Sequence, residues 1–341
     1  MRNLTQGSIT GHLLSMGAFI AFTMLVQTAY LLVDLYFVSR LGPAAIAGVG
    51  AAGTVMLLTM ALGQAIAVGV SALASRAIGA KTPEAADLVF NQGMGVALFF
   101  TAATLAFGYS VGLDLVARLG ADADSAAAAR AYFAAFLPAL AVSYPTAVLG
   151  AALRASGVVR APTAVQSSSI LLNIALAPTL IAGWGTGVSL GVVGAGLASS
   201  IAAAFTLIAM LVIFPRVQPS MRLRRALLAP RAVEWAKLAR IGAPSAAEFF
   251  MMFLLTSVIY VVISRYGSAA QAGFGVGSRV LQSIMLPAMA VAFSAAPIVG
   301  QNLGARLPGR VRETFIRALT ISSGAMIALA LLIHIAPSVL T

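Results

Sequence analysis

Apolar residues run along this chain in blocks, and polar residues are confined to the short gaps between them. Nine blocks are long enough to cross a bilayer, which takes about 20 residues each. They lie near 13–38, 45–74, 88–113, 127–152, 161–183, 188–214, 239–264, 270–299 and 314–337. Most are longer than the minimum, which permits tilt or protrusion. The pattern predicts an all-α polytopic membrane protein with nine spans.

Composition narrows the field in the same direction. Of 341 residues, 60% are hydrophobic and 9% charged, against about 25% charged in an average soluble domain. Mean hydropathy is +0.99. Too little polar surface is available to clothe a soluble domain of this length, so soluble enzymes and disordered chains are excluded. There is no cysteine, hence no disulfide, thiolate metal site or cysteine nucleophile. Two histidines, His12 and His334, do not make a metal centre alone.

The net charge of +12 suggests nucleic acid until its placement is examined. The N-terminus and the even-numbered loops hold 16 of the 21 Lys and Arg residues, with the densest run between Arg216 and Arg240. Cytoplasmic loops carry such an excess. A multi-pass protein of the inner membrane with a cytoplasmic N-terminus is expected, and no nucleic-acid partner.

The chain also repeats itself. Ser39–Gly50 and Ser264–Gly275 are identical at eight of twelve positions, at a constant offset of 225. The same offset pairs Gly79-Ala80-Lys81 with Gly304-Ala305-Arg306, and Pro83 with Pro308. One register held through two loops and a long span is an internal repeat. Each unit has about six spans, so both copies enter the membrane from the same side, and the repeat is parallel. Residues 1–215 form an N-terminal six-helix lobe, 216–238 a basic cytoplasmic linker, and 239–341 three helices of a C-terminal lobe. Within the linker, the stretch after Pro230 is expected to form a short interfacial helix anchored by Trp235, or a solvated connector. A second copy as long as the first would run to about 440. The chain is therefore expected to be a fragment, or a natural nine-helix form that self-associates.

Two of the nine acids, Asp34 and Glu248, fall inside apolar spans. A charge there costs about 2.5–3.5 kcal/mol on insertion scales, so it usually faces a cavity. A carboxylate in that position can carry a proton or hold a cation. Gln27, Gln64, Asn91, Asn173, Ser199 and Gln282 are further polar residues in spans, able to line a cavity or simply to bond between helices. Prolines 138, 145, 178, 244, 287 and 297 predict bends or breaks. Gly48-Val49-Gly50-Ala51-Ala52-Gly53 matches G-x-G-x-x-G but lacks the strand and the acid of a dinucleotide site. There is no Walker A sequence, so an ion gradient is the expected energy source.

Val33-Asp34-Leu35-Tyr36-Phe37-Val38-Ser39-Arg40-Leu41-Gly42 and Ser75–Lys81 resemble the first two spans of the MATE (multidrug and toxic compound extrusion) transporters. Leu172-Asn173 with Pro178, Gly191–Ser199, and Gly242-Ala243-Pro244 with Glu248 extend the resemblance. It implies a two-lobe helical bundle of twelve spans, alternating access, and export of small organic cations driven by proton or sodium entry. It places the coupling-ion site at Asp34, Asn173 and Ser199, with sodium, if used, at Asp34 and Asn173. Glu248 would draw cationic substrate into a cavity walled also by Gln27, Gln64 and Gln282. No cofactor beyond the coupling ion is implied. Some members carry an acid where this chain has Ala177, and a proline where it has Phe19. A lipid-linked oligosaccharide flippase of the same superfamily is the rival, and an inactive truncated fragment the alternative to both. No nucleophile–base cluster points to an enzyme.

Overall fold

Prolines start several helices here and glycines allow them to touch. A computed structural model describes residues 3–119, 122–185, 187–264, 266 and 268–335. The elements in order are α1 (Ile9–Ser39), α2 (Pro43–Gly79), α3 (Pro83–Phe107), a π turn (Gly108–Gly112), α4 (Leu113–Ala117), α5 (Ala123–Ala155), α6 (Arg160–Ile181), α7 (Gly191–Val217), α8 (Arg225–Leu228), α9 (Ala232–Ser264), α10 (Ser268–Gly304) and α11 (Pro308–Ile335). Nine helices among the described residues are long and apolar enough to cross a membrane. Each follows one of the predicted blocks. Pro43 and Pro83 sit at helix starts, where a missing N–H costs nothing. Asp122 starts α5 with a reciprocal cap, its carboxylate accepting from Ser125 N at 2.8 Å while its own N–H donates to Ser125 Oγ at 3.0 Å.

The expected breaks do not occur. Pro138, Pro145, Pro178, Pro244, Pro287 and Pro297 all lie inside continuous helices. Neighbouring turns and helices absorb the freed carbonyls, which lipid-embedded helices permit. The irregularity falls instead at the π turn after α3, where Gly108 lies against Leu137. The interfacial helix expected after Pro230 is not separate either. Residues 232–243 contain no effective stop, so α9 begins at Ala232, inside the predicted linker, and Trp235 packs on Phe99 with ring centroids 5.9 Å apart.

The rest of the linker is sewn to α3. Asp87 accepts from Arg222 N at 2.8 Å and pairs with Arg224 Nε at 3.0 Å. Asn91 donates to Arg222 O and accepts from Arg224 N, both at 2.8 Å. Gln92 donates to Leu227 O at 2.6 Å and Ala229 O at 2.8 Å, and accepts from Arg231 N at 3.0 Å. Asp87, placed beside a loop by sequence, is only 4% exposed because the linker covers it.

The repeat is visible in three dimensions. After α2, Ala80 N, Lys81 N and Thr82 N donate to Arg76 O, Ile78 O and Ala77 O; after α10, Ala305 N, Arg306 N and Leu307 N donate to Gln301 O, Leu303 O and Asn302 O. Every pair is separated by 225. Lys81 and Arg306 share a φ of 57°, left-handed despite their side chains. The two helices cross at these ends. A Cβ on Gly79 would strike Gln301 O, and one on Gly304 would strike Arg76 O. Ser75 and Gly300, equivalent positions, face one another, so the pseudo-two-fold axis passes between them. A second equivalent pair sets α1 on α10 through Gly17 and Ala290, and α9 on α2 through Gly242 and Ala65. Small residues let membrane helices come this close.

Candidate functional site

α1 carries Asp34 in its final third, where the side chain is 8% exposed. Its Oδ1 is buried and has no hydrogen-bond partner among the described residues. A buried carboxylate oxygen left unpaired is uncommon and calls for an explanation. Tyr30 lies one helical turn earlier, on the same face. Both Tyr30 and the buried Tyr132 of α5 lie within electrostatic reach of Asp34.

From Tyr30 a polar chain crosses two more helices. The Tyr30 hydroxyl is 2.9 Å from Ser199 Oγ on α7. Asn173 Nδ2, on α6, donates to the same Ser199 oxygen at 3.3 Å. A hydroxyl can accept twice and donate once, so Ser199 serves both partners. The structure therefore brings Asn173 and Ser199 together with Tyr30, which lies one turn from Asp34 on α1. Sequence reading missed Tyr30, although its four-residue spacing from Asp34 was available. Among the described residues no group of three or more His, Cys, Asp or Glu is placed to hold a metal. The donors here are one carboxylate, an amide and two hydroxyls.

This polar chain borders a cavity of about 550 Å³, walled by α1, α2, α5, α6 and α7 with Phe293 of α10. Gln27, Tyr30, Gln64, Asn173 and Ser199 line it. Asp34 itself does not line it. Glu248, expected in the cavity, is exposed on α9. No residue of α9 lines the cavity, so Glu248 stands outside its wall whichever face it occupies. The Gln282 side chain lies outside the described residues. The wall also holds Arg154 and Val159, which lie between the predicted spans 127–152 and 161–183, and Arg154 is charged.

Comparison with known proteins agrees with this architecture. The MatE family model matches residues 20–179 and 244–341. A protein of Shewanella oneidensis described as an FAD transporter is 28% identical over 84% of this chain and 64% of its own length. The multidrug export protein MepA of Staphylococcus aureus is 25% identical over 90% of this chain and 67% of its own length. The chain thus spans about two thirds of the length of these relatives. Among solved structures, a MOP superfamily transporter from Pyrococcus furiosus superposes with a TM-score of 0.89 at 24% identity, covering 99% of this chain and 74% of that one. An outward-facing multidrug resistance MATE family transporter gives 0.88 at 23%, covering 97% and 73%. These likenesses are of fold. With more than half its residues matched by the family model, the chain belongs to the MatE family, whose members are membrane transporters and not enzymes.

Proposed function

We propose that this chain works as a cation-coupled exporter of small organic molecules, with Asp34 as the coupling group and its N-terminus in the cytoplasm. The carrying observation is the buried, unpartnered Oδ1 of Asp34 beside the Tyr30–Ser199–Asn173 chain at the edge of the cavity. Taking up a proton would neutralise a carboxylate that the membrane interior penalises, and releasing it would restore that penalty. Two conformations that differ in the exposure of Asp34 would then differ in their affinity for the coupling ion, which is all that coupling requires. A lone carboxylate suits a proton better than sodium, because hard cations are usually held by a cage of several oxygens.

The relatives named as multidrug export protein and FAD transporter support a broad class of organic substrate. A preference for organic cations would rest on Glu248, which stands apart from the cavity. The flippase reading asks for several basic groups around a pyrophosphate, and the described wall offers one.

The test is gradient-driven efflux of a dye panel with cationic, neutral and anionic members, from cells expressing the wild type or Asp34→Asn. The variant is expected to reach the membrane in equal amount and to export at the level of cells without the protein. Undiminished efflux by the variant would remove Asp34 from coupling. A response to a sodium gradient with none to a pH gradient would reverse the choice of ion.

A further inference from the structure

Arg154 is the one charged residue in the described wall of the cavity, and the preceding proposal gives it no role. It lies one residue before the end of α5. An arginine so near a helix end ordinarily extends past it to reach water or headgroups. This one turns back. Its Nη1 lies 3.2 Å from where a Cβ on Gly150 would stand, a full turn toward the interior, and the absence of that Cβ leaves the guanidinium its room. No acid lies within ion-pair distance of Arg154 among the described residues, and no hydrogen bond engages its guanidinium there. A guanidinium with five donors, partly buried and without a counter-charge, is a receptor for a planar anion, which it can grip through two parallel bonds. Gln166 lines the same cavity and adds an uncommitted amide. The rest of the wall mixes the polar groups already named with Met56, Met60, Met210 and Phe136. Methionine surfaces of this kind adapt to aromatic bodies of varied outline.

We infer that the cavity binds amphiphilic organic anions, an aromatic body lying among the methionines with its carboxylate or phosphate on Arg154. This deepens the exporter reading and rests on it only for the direction of transport. Binding can be measured without any gradient.

The test uses three probes with one aromatic body: 1-pyrenebutyrate, 1-pyrenebutanol and 1-pyrenebutyltrimethylammonium. Their affinities are compared for the 341-residue chain in nanodiscs of neutral lipid, as wild type, Arg154→Lys and Arg154→Gln. The wild type is expected to favour the anion over the cation by about tenfold or more. Arg154→Lys should keep the preference in reduced form, and Arg154→Gln should lose it with little change for the alcohol. A wild-type preference for the cation, or an unchanged ratio in Arg154→Gln, would overturn the inference. So would a preference that vanishes in nanodiscs rich in phosphatidylglycerol, which would assign Arg154 to a lipid headgroup. If Arg154→Gln does not fold, the wild-type ranking and its Lys variant still decide. Selective binding with no efflux would leave Arg154 as an anion receptor and remove the exporter reading instead.

Discussion

Asp122, Asp87 and Asp34 are the same side chain in three settings. Asp122 is exposed outside the membrane, and hydrogen bonds from Ser125 to its ionised form hold its carboxyl below the usual aspartate value. A lowered folded value means that its cap stabilises fully above the ordinary aspartate range and fades as pH falls through the folded value. Asp122→Ala is therefore expected to melt below the wild type near neutral pH, with the gap narrowing in acid; thermal unfolding followed by intrinsic fluorescence at several pH values checks this. Asp87 spends its oxygens on the linker. Asp34 has a buried oxygen with no partner among the described residues. The sequence marks Asp34 as unusual because its neighbours are apolar, but it does not separate the other two, whose partners Ser125 and Arg222 differ only in how far away they lie along the chain. Arg154 escaped for a related reason. Position near a span's end makes an arginine look like part of a loop, and only the direction of its side chain, set by Gly150, shows otherwise.

At the scale of helices, contact geometry replaces composition as the deciding factor. Gly79 and Gly304 are equivalent and each meets backbone of the other's helix. Gly79→Val and Gly304→Val should each destabilise the protein by about 1–3 kcal/mol, as overpacking does. Gly309→Ala, where a Cβ meets nothing within 4 Å, should be tolerated. Melting temperatures of the three variants in one detergent make the comparison, and equal tolerance at all three positions would mean the crossing is looser than described. Span positions and the 225-residue offset were legible because hydrophobic blocks and loop motifs are local. The prolines did not break their helices, since lipid-embedded helices carry them without interruption. Glu248 stands outside the cavity because all of α9 does, and which helices wall a cavity is a tertiary outcome that nothing in the neighbouring residues states.

On the scale of the molecule, the crossing of α2 and α10 closes one side of the structure, the side that bears the linker. The chain has no native cysteine, so an engineered pair can report on this closure without background. With Ser75→Cys and Gly300→Cys together, mild oxidation is expected to form a bridge across the axis, because Ser75 Cβ lies 2.8 Å from a Cβ built on Gly300 and a small outward shift reaches disulfide spacing. Loss of maleimide labelling would report the bridge. If opening of this side is part of export, the bridge stops transport and reduction restores it; full transport with the bridge intact would place the moving parts elsewhere.

The reciprocity of that crossing also bears on origins. Residue 79 meets 301 and residue 304 meets 76, so one patch has met its own duplicate in mirrored roles. Such a contact is isologous, the form that two identical subunits take about a dyad. Two separate copies of an ancestral half, inserted in the same orientation, could have docked through this patch before any peptide bond joined them. A covalent joint adds proximity to a surface that is already self-complementary, and the equivalent turns at Lys81 and Arg306 share one backbone shape.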